Sequence, residues 1–419
     1  MSVLILQRNP LEPFPYERWL ADYPGDVVVL VARDKLEAVG EEVPQGDLGY
    51  TRLEVLDDFS DEQLLFKRAR ELAQEFGTRY VVAHNEADVV TAARLRERLG
   101  LPGPWTADVL PFRDKALMKR LVAAAGVEVA THVVPRTAAD VRRFATRHGL
   151  PVVLKERSGF NAIGLRILRD PDELETCLAT AFAAGPRDDL LLEAYVEGAM
   201  CHVDGLVVDG RTALVWPSQY QYQLATFGSD SGARIDLTLD TDDPLTPRLL
   251  ELTERVLAAL RDPEGRLRHH AFHAEIFHTP DDRLVLCEIA CRPAGAKIKE
   301  VFRAVFGMNL GEYATRAQVE LPLPGLDPAA APPRPLRMAG QVLMMKRPGM
   351  IRAVPAAPEE PWVEGFWLYG RPGQVVPAAG GSSDFLLAAV GSAPTRVECE
   401  RRLRALGARF EGETENVEV

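Results

Sequence analysis

Two glutamates in one predicted hairpin could together bind a divalent cation. Residues 271–293 read AFHAEIFHTPDDRLVLCEIACRP, and the two apolar, β-rich runs around a Pro-Asp-Asp turn predict a β-hairpin. If Thr279 pairs with Leu284 beside that turn, Glu275 lies directly opposite Glu288 on one face. Facing like charges destabilise a strand pair by roughly a few tenths to 1 kcal/mol, whereas Mg²⁺ would use both carboxylates as ligands beside a phosphate chain. The alternative is that one glutamate pairs with an arginine and the other points to solvent.

Two lysines upstream of the hairpin could bind nucleotide phosphates. Lys155 ends an apolar strand and is followed by ERSGFNAIG, a loop in which Gly159 and Gly164 let backbone N–H groups approach phosphate oxygens. Lys115, in FRDKALM, opens a helix, where its charge gains nothing from the helix dipole. A functional contact would explain both positions, and a plain turn and a solvated lysine are the alternatives.

A third segment could bind the base of a nucleotide. LLLEAYVEG, residues 190–198, predicts a strand that ends in an acidic and aromatic hinge, whose backbone could read the edge of an adenine. The alternative is a core strand that simply leaves its sheet. The P-loop pattern GxxxxGK[ST] is absent from the sequence, so that route to nucleotide binding is excluded.

The first hundred residues, which precede these groups, predict a layered α/β structure. Short apolar runs at Val3–Leu6, Val27–Val31 and Tyr80–Ala83 predict buried parallel strands. The segment between Asp61 and Gly77 predicts a helix capped by Ser60. The alternation of strand and helix predicts a doubly wound α/β fold, and a Gly-Pro-rich joint at residues 99–105 marks its end.

The later part of the chain is richer in strands. A β-α-β unit is expected from strand His132–Val134, helix Ala138–His148 and strand Val152–Lys155. Proline-dense residues 321–336 predict a linker or an extended surface crossing. We expect an N-terminal domain over 1–105, a central domain over 106–196, and a C-terminal domain over 197–419 that contains the hairpin and a β-rich extension from about residue 335.

Composition excludes several classes of protein. The 419 residues carry a formal net charge of −12 and a pI near 5.3, without the basic balance of a nucleic-acid binder. The five cysteines are scattered, odd in number and without zinc-site spacing, so a reducing compartment is expected. The start, MSVLILQRNP, is too short for a secretory signal, and no stretch reaches the roughly 18 apolar residues that span a bilayer. These features predict a cytoplasmic protein with neither nucleic-acid nor membrane partners.

The order and spacing of these motifs resemble the ATP-grasp superfamily of carboxylate–amine ligases. The lysine in RDK, the lysine before a small-residue loop, LLLExYVEG, and the glutamates of HAEIF and CEIACRP form one series, and the resemblance runs from the first strand to about residue 310. It implies an ATP-grasp architecture: an N-terminal doubly wound α/β domain followed by α+β parts that hold the lid and the metal site. MCHVDGLVVDG and SQYQYQLATFG look most like the amino-acid ligase branch.

Carried over residue by residue, the resemblance implies the catalytic and metal-binding groups. Glu275 and Glu288 would bind Mg²⁺, or Mn²⁺ in its place, and Glu288 would thereby also be catalytic. Arg292 would stabilise the transferred phosphoryl group or an acyl phosphate. Contacts to ATP would come from a further set of residues: Lys115, Lys155, Ser158, Gly159, Gly164, Glu193, Ala194, Val196 and His202.

Within that set, the resemblance separates phosphate contacts from base contacts. Lys115 and Lys155 would hold the α- and β-phosphates, and the loop from Gly159 to Gly164 would close over them as a lid. Glu193 would lie at the adenine hinge, with the backbone of Ala194 and Val196 at the base.

The chain departs from the family pattern at three points. Ala290 stands where an asparagine often supplies a metal ligand, which puts a second metal ion in doubt. The phosphate loop has fewer glycines than usual. Met200 stands near the expected ribose-binding acid, so His202 and Asp204, which share a strand face, are candidates to replace it. A packed strand histidine is the alternative for His202.

The implied activity is ADP-forming ligation. ATP would phosphorylate a small-molecule carboxylate, expected to be an amino acid, and an amine would displace phosphate to form an amide or peptide bond. Tyr220, Tyr222 and Gln223, in the 217–234 loop, are candidate acceptor contacts. Cys287 is expected on the strand face opposite Glu288. The alternatives are acyl transfer to a thiol or carrier protein, and a non-catalytic ATP-binding regulator; a homodimer would be usual for such ligases.

Overall fold

A four-stranded parallel sheet forms the N-terminal layer of the protein, which a computed structural model describes over residues 1–44, 48–226, 228 and 232–417. Its order is β3-β2-β1-β4. The strands are β1 (Ser2–Gln7), β2 (Asp26–Ala32), β3 (Arg52–Leu56) and β4 (Thr78–Ala83). The helices of this region are α1 (Tyr16–Trp19), α2 (Arg33–Val39), α3 (Glu62–Glu75) and α4 (Val89–Leu99).

Strand β1 shows why this layer is doubly wound. All of its residues are buried, as expected for a central parallel strand covered on both faces. Leu4 and Leu6 pack with Leu65 and other residues of α3, whereas Val3 and Ile5 face a second cluster built around aromatic side chains near α1. The predicted doubly wound α/β layer is confirmed.

A small antiparallel sheet follows, with the order β5-β8-β6-β7. Its strands are β5 (His132–Val133), β6 (Val152–Glu156), β7 (Arg166–Leu168) and β8 (Leu190–Ala194). The helices in this part are α5 (Thr106–Val109), α6 (Lys115–Ala124), α7 (Ala138–His148) and α8 (Pro171–Ala181). Strands β5 and β6 both run antiparallel to β8, so the predicted β-α-β unit has its two strands parallel, with β8 inserted between them.

The rest of the chain is built on a large antiparallel sheet. The strands are β9 (Ala199–Val208), β10 (Arg211–Tyr220), β11 (Arg234–Thr238), β12 (His270–His278), β13 (Leu284–Ala290), β14 (Met338–Met345), β15 (Gly349–Ala353), β16 (Val363–Leu368), β17 (Val375–Val376), β18 (Phe385–Ala393) and β19 (Glu415–Val417). Eight of them form the sheet β13-β12-β9-β10-β11-β14-β18-β16, and β17-β15-β19 form a separate small sheet. The helices are α9 (Leu245–Ala259), α10 (Ile298–Phe306), α11 (Leu310–Gln318) and α12 (Arg396–Glu413).

Two local expectations need comment. The cap of α3 is Asp61, whose side chain accepts hydrogen bonds from the N–H groups of Gln63 and Leu64; Ser60 instead donates its hydroxyl to Asp58. The predicted Ser60 cap is therefore wrong, because the aspartate one residue later is placed to accept from the first helical turn. Residues 321–336 contain neither helix nor strand, as their proline content predicts. Among the described residues, no helix is long and apolar enough to cross a membrane.

Candidate active site

A cavity of about 520 Å³ lies between the small sheet and the large sheet. Strands β6, β7 and β8 line one side of it, β12, β13 and β14 line the other, and the loop after β6 closes one end. Most of the charged residues selected from the sequence line this space: Lys115, Lys155, Glu193, Glu275, Glu288 and Arg292. Residues more than 170 positions apart therefore meet in one place.

The hairpin brings Glu275 opposite Glu288, as predicted, although its register differs from the predicted one. At the turn, His278 pairs with Leu284, so the expected pairing of Thr279 with Leu284 is wrong. A register shift between Glu275 and Ile276 places one extra residue on β13, which is a β-bulge. The bulge compensates for the displaced turn, and the two carboxylates face each other.

The same bulge overturns the expectation for Cys287. Strict alternation predicts the Cys287 side chain on the strand face that points away from Glu288. Instead Cys287 lines the cavity, because the bulge interrupts that alternation. Its sulfur and one carboxylate oxygen from each of Glu275 and Glu288 lie within 4.8 Å of one another. Burial raises the pKa of Cys287 to about 12, so the thiol is protonated at neutral pH and is no nucleophile.

Lys155 is held by Glu193 at the cavity wall. Lys155 Nζ lies 2.7 Å from Glu193 Oε2, and Lys119 Nζ lies 2.9 Å from the other oxygen. Burial alone would raise the pKa of Glu193, but the two lysines outweigh it and hold that pKa at about 2. Burial likewise opposes the charge of Lys155, and Glu193 outweighs it and raises the lysine pKa. Lys155 is therefore fixed as a cation.

Lys119 was missed by the sequence reasoning. It is fully buried and also donates to the carbonyl oxygen of Cys287 at 2.9 Å, so it ties the small sheet to the hairpin. The sequence nevertheless indicates that Lys119 lies near Lys115. It follows Lys115 by four residues on helix α6, and residues at that spacing share a helix face.

Lys115 is positioned by the start of helix α6. The Asp114 side chain caps this helix by accepting from the N–H groups of Ala116 and Leu117. Lys115 Nζ donates to the Gly159 carbonyl oxygen at 2.6 Å and lies 3.2 Å from Glu288 Oε2. Burial would raise the pKa of Glu288, but Lys115 and Lys155 lower it. Lys115 thus connects the loop after β6 to the hairpin.

Arg292 is oriented by a residue of the N-terminal layer. Its Nε donates to Glu86 Oε2 at 2.5 Å, and Arg113 donates to the other oxygen of Glu86. Burial would raise the pKa of Glu86, but Arg292 and Arg113 hold it at about 2. Glu86 follows β4 at the carboxyl end of a parallel sheet, where ligand sites of α/β folds form; this was the available signal that the sequence reasoning did not use.

The loop after β6 is folded against the far end of the chain. The Asn161 carbonyl oxygen accepts from the Ser382 N–H at 3.1 Å, and Ser383 donates its hydroxyl to the Asn161 side chain at 3.2 Å. Gly159 lines the cavity, whereas Ser158 and Gly164 do not. The Ser158 carbonyl oxygen instead accepts from Arg113 at 2.7 Å, and Gly164 has a φ of +71°, which favours glycine at that turn.

The hinge segment lines an apolar part of the cavity. Ala194 and Val196 border it together with Val153, Ile167 and Leu286. The Ala194 N–H donates to the Thr131 carbonyl oxygen at 2.9 Å, so this N–H is not available to a ligand. A flat base between apolar side chains, read by the backbone of the hinge, fits this part of the cavity.

His202 does not reach the cavity. It is fully buried in β9, where its Nδ1 lies 2.5 Å from Asp204 and its Nε2 lies 2.9 Å from Asp236. Burial would lower the pKa of His202, but Asp236 and Asp204 raise it to about 10. The structure therefore places His202, suggested as a ribose contact, as a packed strand histidine, because the Tyr220 ring packs against it at 4.5 Å and both of its ring nitrogens contact aspartates.

The predicted acceptor loop contributes part of the cavity wall. Tyr220, Tyr222 and Gln223 line the cavity, and Arg234 lies over the Tyr222 ring, 4.1 Å from its centroid. Positions 227 and 229–231 of that loop lie outside the described residues.

The donor set suits a hard divalent cation and a polyphosphate. Glu275 and Glu288 offer carboxylate oxygens, which Mg²⁺ prefers, on adjacent strands that open onto the cavity. Lys115, Lys155 and Arg292 supply positive charge around them. Each of these cations is paired with a carboxylate, so a ligand that recruits one of them leaves a carboxylate that needs a new partner.

Known proteins are similar to parts of this sequence. Residues 114–216 match the family model described as carbamoyl-phosphate synthase L chain, ATP binding domain. The L-arginine-specific L-amino acid ligase of Bacillus subtilis is 25% identical over 270 residues, which cover 63% of each chain. A D-alanine–D-alanine ligase from Syntrophobacter fumaroxidans is 37% identical over 112 residues, 26% of this chain and 35% of that enzyme. The chain thus spans less than two thirds of these relatives' lengths.

Solved structures agree over the whole chain. The L-amino acid ligase from Bacillus licheniformis superposes with a TM-score of 0.74 at 17% identity, covering 100% of this chain and 98% of that one. The biotin carboxylase domain of Hydrogenobacter thermophilus 2-oxoglutarate carboxylase, solved as a dimer with MgADP and bicarbonate, gives a TM-score of 0.70 at 18% identity and covers 99% of this chain and 90% of that one. These comparisons confirm the resemblance stated from the sequence and the fold that it implied.

Proposed function

We propose that this chain, which has the ATP-grasp fold, is an ADP-forming ligase that activates a carboxylate as an acyl phosphate and joins it to an amine. The carrying observation is the cavity itself, in which Glu275 and Glu288 face each other within reach of Lys115 and Lys155. Two opposed carboxylates destabilise a hairpin unless a cation joins them. A metal-bound triphosphate supplies that cation and uses the nearby lysines.

In this proposal each residue has a defined task. Glu275 and Glu288 would hold Mg²⁺, with Mn²⁺ as a functional substitute, and the ion would supply positive charge that neutralises the phosphates. Lys115 and Lys155 bind the α- and β-phosphates. Arg292, whose Nε is held by Glu86, directs its remaining N–H groups at the phosphoryl group or acyl phosphate.

The base and the lid complete the nucleotide site. The adenine lies against the apolar wall, with the backbone of Ala194 and Val196 at its edge. Gly159 and its neighbours cover the phosphates and exclude water, which strengthens the electrostatic contacts inside. Glu193 would not contact the nucleotide directly, because its two carboxylate oxygens contact Lys119 and Lys155. Its task is to hold Lys155 in place. We do not include Ser158, Gly164 or His202 among the direct contacts.

The proposed substrates are a small carboxylic acid and an amine, and at least one of the two is an amino acid. Support comes from the relatives, which are named as ligases of L-amino acids and of D-alanine. Tyr220, Tyr222 and Gln223 would contact the acceptor. We also propose the division of the chain near residues 105 and 196, and a homodimer, as in the biotin carboxylase relative.

A phosphate-release screen tests the proposal. The purified chain is supplied with MgATP and amino acids, singly and in pairs, and the nucleotide product is identified as ADP or AMP. We expect ADP and phosphate release that depends on a specific acid–amine pair. Glu288→Gln should lower the rate about 10²–10³-fold, which corresponds to the loss of a positioned charge. Glu254→Gln, an exposed acid on helix α9, is the matched control and should match the wild type.

Hydroxylamine separates the alternative acceptors. It traps an acyl phosphate whether the natural acceptor is an amine or a thiol, whereas only the true acceptor sustains multiple turnovers. ATP binding without stimulation of ADP release by any carboxylate would contradict the ligase proposal and favour a regulator. AMP as the nucleotide product would contradict the acyl-phosphate chemistry.

A further inference from the structure

A row of buried polar side chains crosses the large sheet beside the pair of facing glutamates. Its members share one face of the sheet, since His273 pairs with Asp204 and Asp236 pairs with Gln341 in the strand register. Each member is at most 9% exposed. In order from Glu275, the row consists of His273, Asp204, His202, Asp236 and Gln341.

The contacts along the row are continuous. His273 Nε2 lies 3.5 Å from Glu275 Oε1, and His273 Nδ1 lies 2.8 Å from Asp204 Oδ1. The other oxygen of Asp204 lies 2.5 Å from His202 Nδ1, and His202 Nε2 lies 2.9 Å from Asp236 Oδ1. Both ring nitrogens of His202 therefore face carboxylate oxygens, so both carry a hydrogen and donate.

The far end of the row reaches the segment that carries Arg292. Gln341 donates its amide N–H to Asp236 Oδ2 at 3.0 Å. The amide oxygen of Gln341 accepts from the Lys297 backbone N–H at 2.8 Å. Residues 292–297 follow β13, so the row joins Glu275 at one end to the turn after Arg292 at the other, along the large-sheet side of the cavity.

Stability alone does not explain this arrangement. Burying ionised groups costs several kcal/mol for each ion, and well-packed apolar side chains in their place are often neutral or stabilising. What a fully satisfied polar network does supply is a single fixed geometry, because each donor meets one acceptor and alternative packings leave groups unpaired. Both oxygens of Asp204 and both oxygens of Asp236 have a partner.

We infer that this row, His273–Asp204–His202–Asp236–Gln341, is a positioning network that fixes the metal ligand Glu275 relative to the segment carrying Arg292. The inference rests on the proposed function, because it takes Glu275 to be a metal ligand. Asp204, His202 and Asp236 do not line the cavity, so each would act through its neighbour. Partners of this kind behind a metal ligand are typically worth about 10–100-fold in metal affinity or activity.

Asp236→Asn is the sharpest perturbation. It preserves shape and keeps an oxygen for His202, but it turns an amide donor toward the amide donor of Gln341, so the row is broken in the middle. The double variant Asp236→Asn/Gln341→Glu restores the alternation, since the new amide donates to the new carboxylate, which still accepts from Lys297. Thr238→Val is the matched control: Thr238 lies on the same strand, is buried, and makes two hydrogen bonds with Ala339 outside the row.

The readout is binding of Mn²⁺–ADP to the whole chain, followed by electron paramagnetic resonance of the free ion, together with kcat and KM for the carboxylate. We expect Asp236→Asn to weaken Mn²⁺–ADP binding about 10–100-fold, the double variant to recover most of that loss, and Thr238→Val to lower the melting temperature without changing the affinity. If Asp236→Asn does not fold, Gln341→Met replaces it, because it removes the contacts of Gln341 to Asp236 and to the Lys297 N–H without adding charge.

Two outcomes overturn the inference alone: wild-type affinity in a folded Asp236→Asn chain, or an equal loss in Thr238→Val, which would make the effect one of general stability. A wild-type chain that neither binds Mn²⁺–ADP nor releases phosphate overturns the proposed function and this inference with it. The two failures are therefore distinguishable.

Discussion

Neutralising Glu193 should be the most costly single change in the cavity wall. Glu193→Gln leaves Lys119 and Lys155 buried around a neutral amide, in place of contacts of 2.9 and 2.7 Å to a carboxylate. A carboxyl pKa of about 2 against an ordinary 4.5 corresponds to about 3 kcal/mol, at 1.36 kcal/mol for each pKa unit. Breaking a buried ion pair by removing one partner costs about 3–5 kcal/mol, so two independent arguments agree on the magnitude.

The pH dependence has a defined sign. Folding depresses the pKa of Glu193, so its contribution to the free energy of unfolding is complete above the unfolded value of 4.5 and is lost as the pH falls toward about 2. The difference in stability between wild type and Glu193→Gln should therefore be constant near neutral pH and shrink between about pH 5 and pH 2.

Chemical denaturation of the whole chain at a series of pH values measures both effects. Glu175→Gln is the control, because Glu175 pairs with Arg142 at 2.6 Å with both side chains about half exposed, and exposed pairs contribute about 0–1 kcal/mol. Equal losses in the two variants, or a loss in Glu193→Gln that grows as the pH falls, would refute the reasoning from burial.

Two further changes test the role proposed for Arg292 and the conformation of the loop after β6. Arg292→Lys should lower kcat about 10²–10³-fold with little change in nucleotide affinity, because a lysine cannot donate to Glu86 and also present N–H groups to the reacting phosphoryl group. Steady-state kinetics and a nucleotide-binding measurement check this prediction. An unchanged kcat would contradict it. Asn161 has a φ of +55°, which costs an alanine roughly 1–2 kcal/mol, so Asn161→Ala should speed nucleotide dissociation about tenfold in a stopped-flow experiment. Asn161→Gly, which tolerates that φ but also loses the contact to Ser383, should do so less, and equal rates for both would point to the side-chain contact alone.

Parts of this site could be predicted because they depend on local spacing. The hairpin that carries Glu275 and Glu288 follows from a turn between two apolar runs, although their facing also needs the bulge, and Lys155 follows from its place at the end of a strand. Lys115 follows from Asp114, which caps the helix directly before it. In each case one short window of sequence contains the determining residues.

Other parts depend on residues that meet only in three dimensions. The bulge at Cys287 adds one residue to a strand, and no local feature of CEIACRP distinguishes it from strict alternation. Glu86 lies 206 positions from its partner Arg292, and the single-sequence reasoning offered no reason to join them. His202 shows the reverse case, since its alternation with Asp204 was recognised, but both side chains are fully buried and do not line the cavity.

The charges of the cavity suggest why metal and nucleotide should bind together. Lys115 is paired with Glu288, Lys155 with Glu193, and Arg292 with Glu86. If a triphosphate alone recruited Lys115, Glu288 would lose its partner and remain as an uncompensated carboxylate beside added negative charge. In the proposed function, a divalent cation held by Glu288 and Glu275 would replace the lysine charge when Lys115 turns to the phosphate. The facing glutamates would then allow Lys115 to move, in addition to holding the ion.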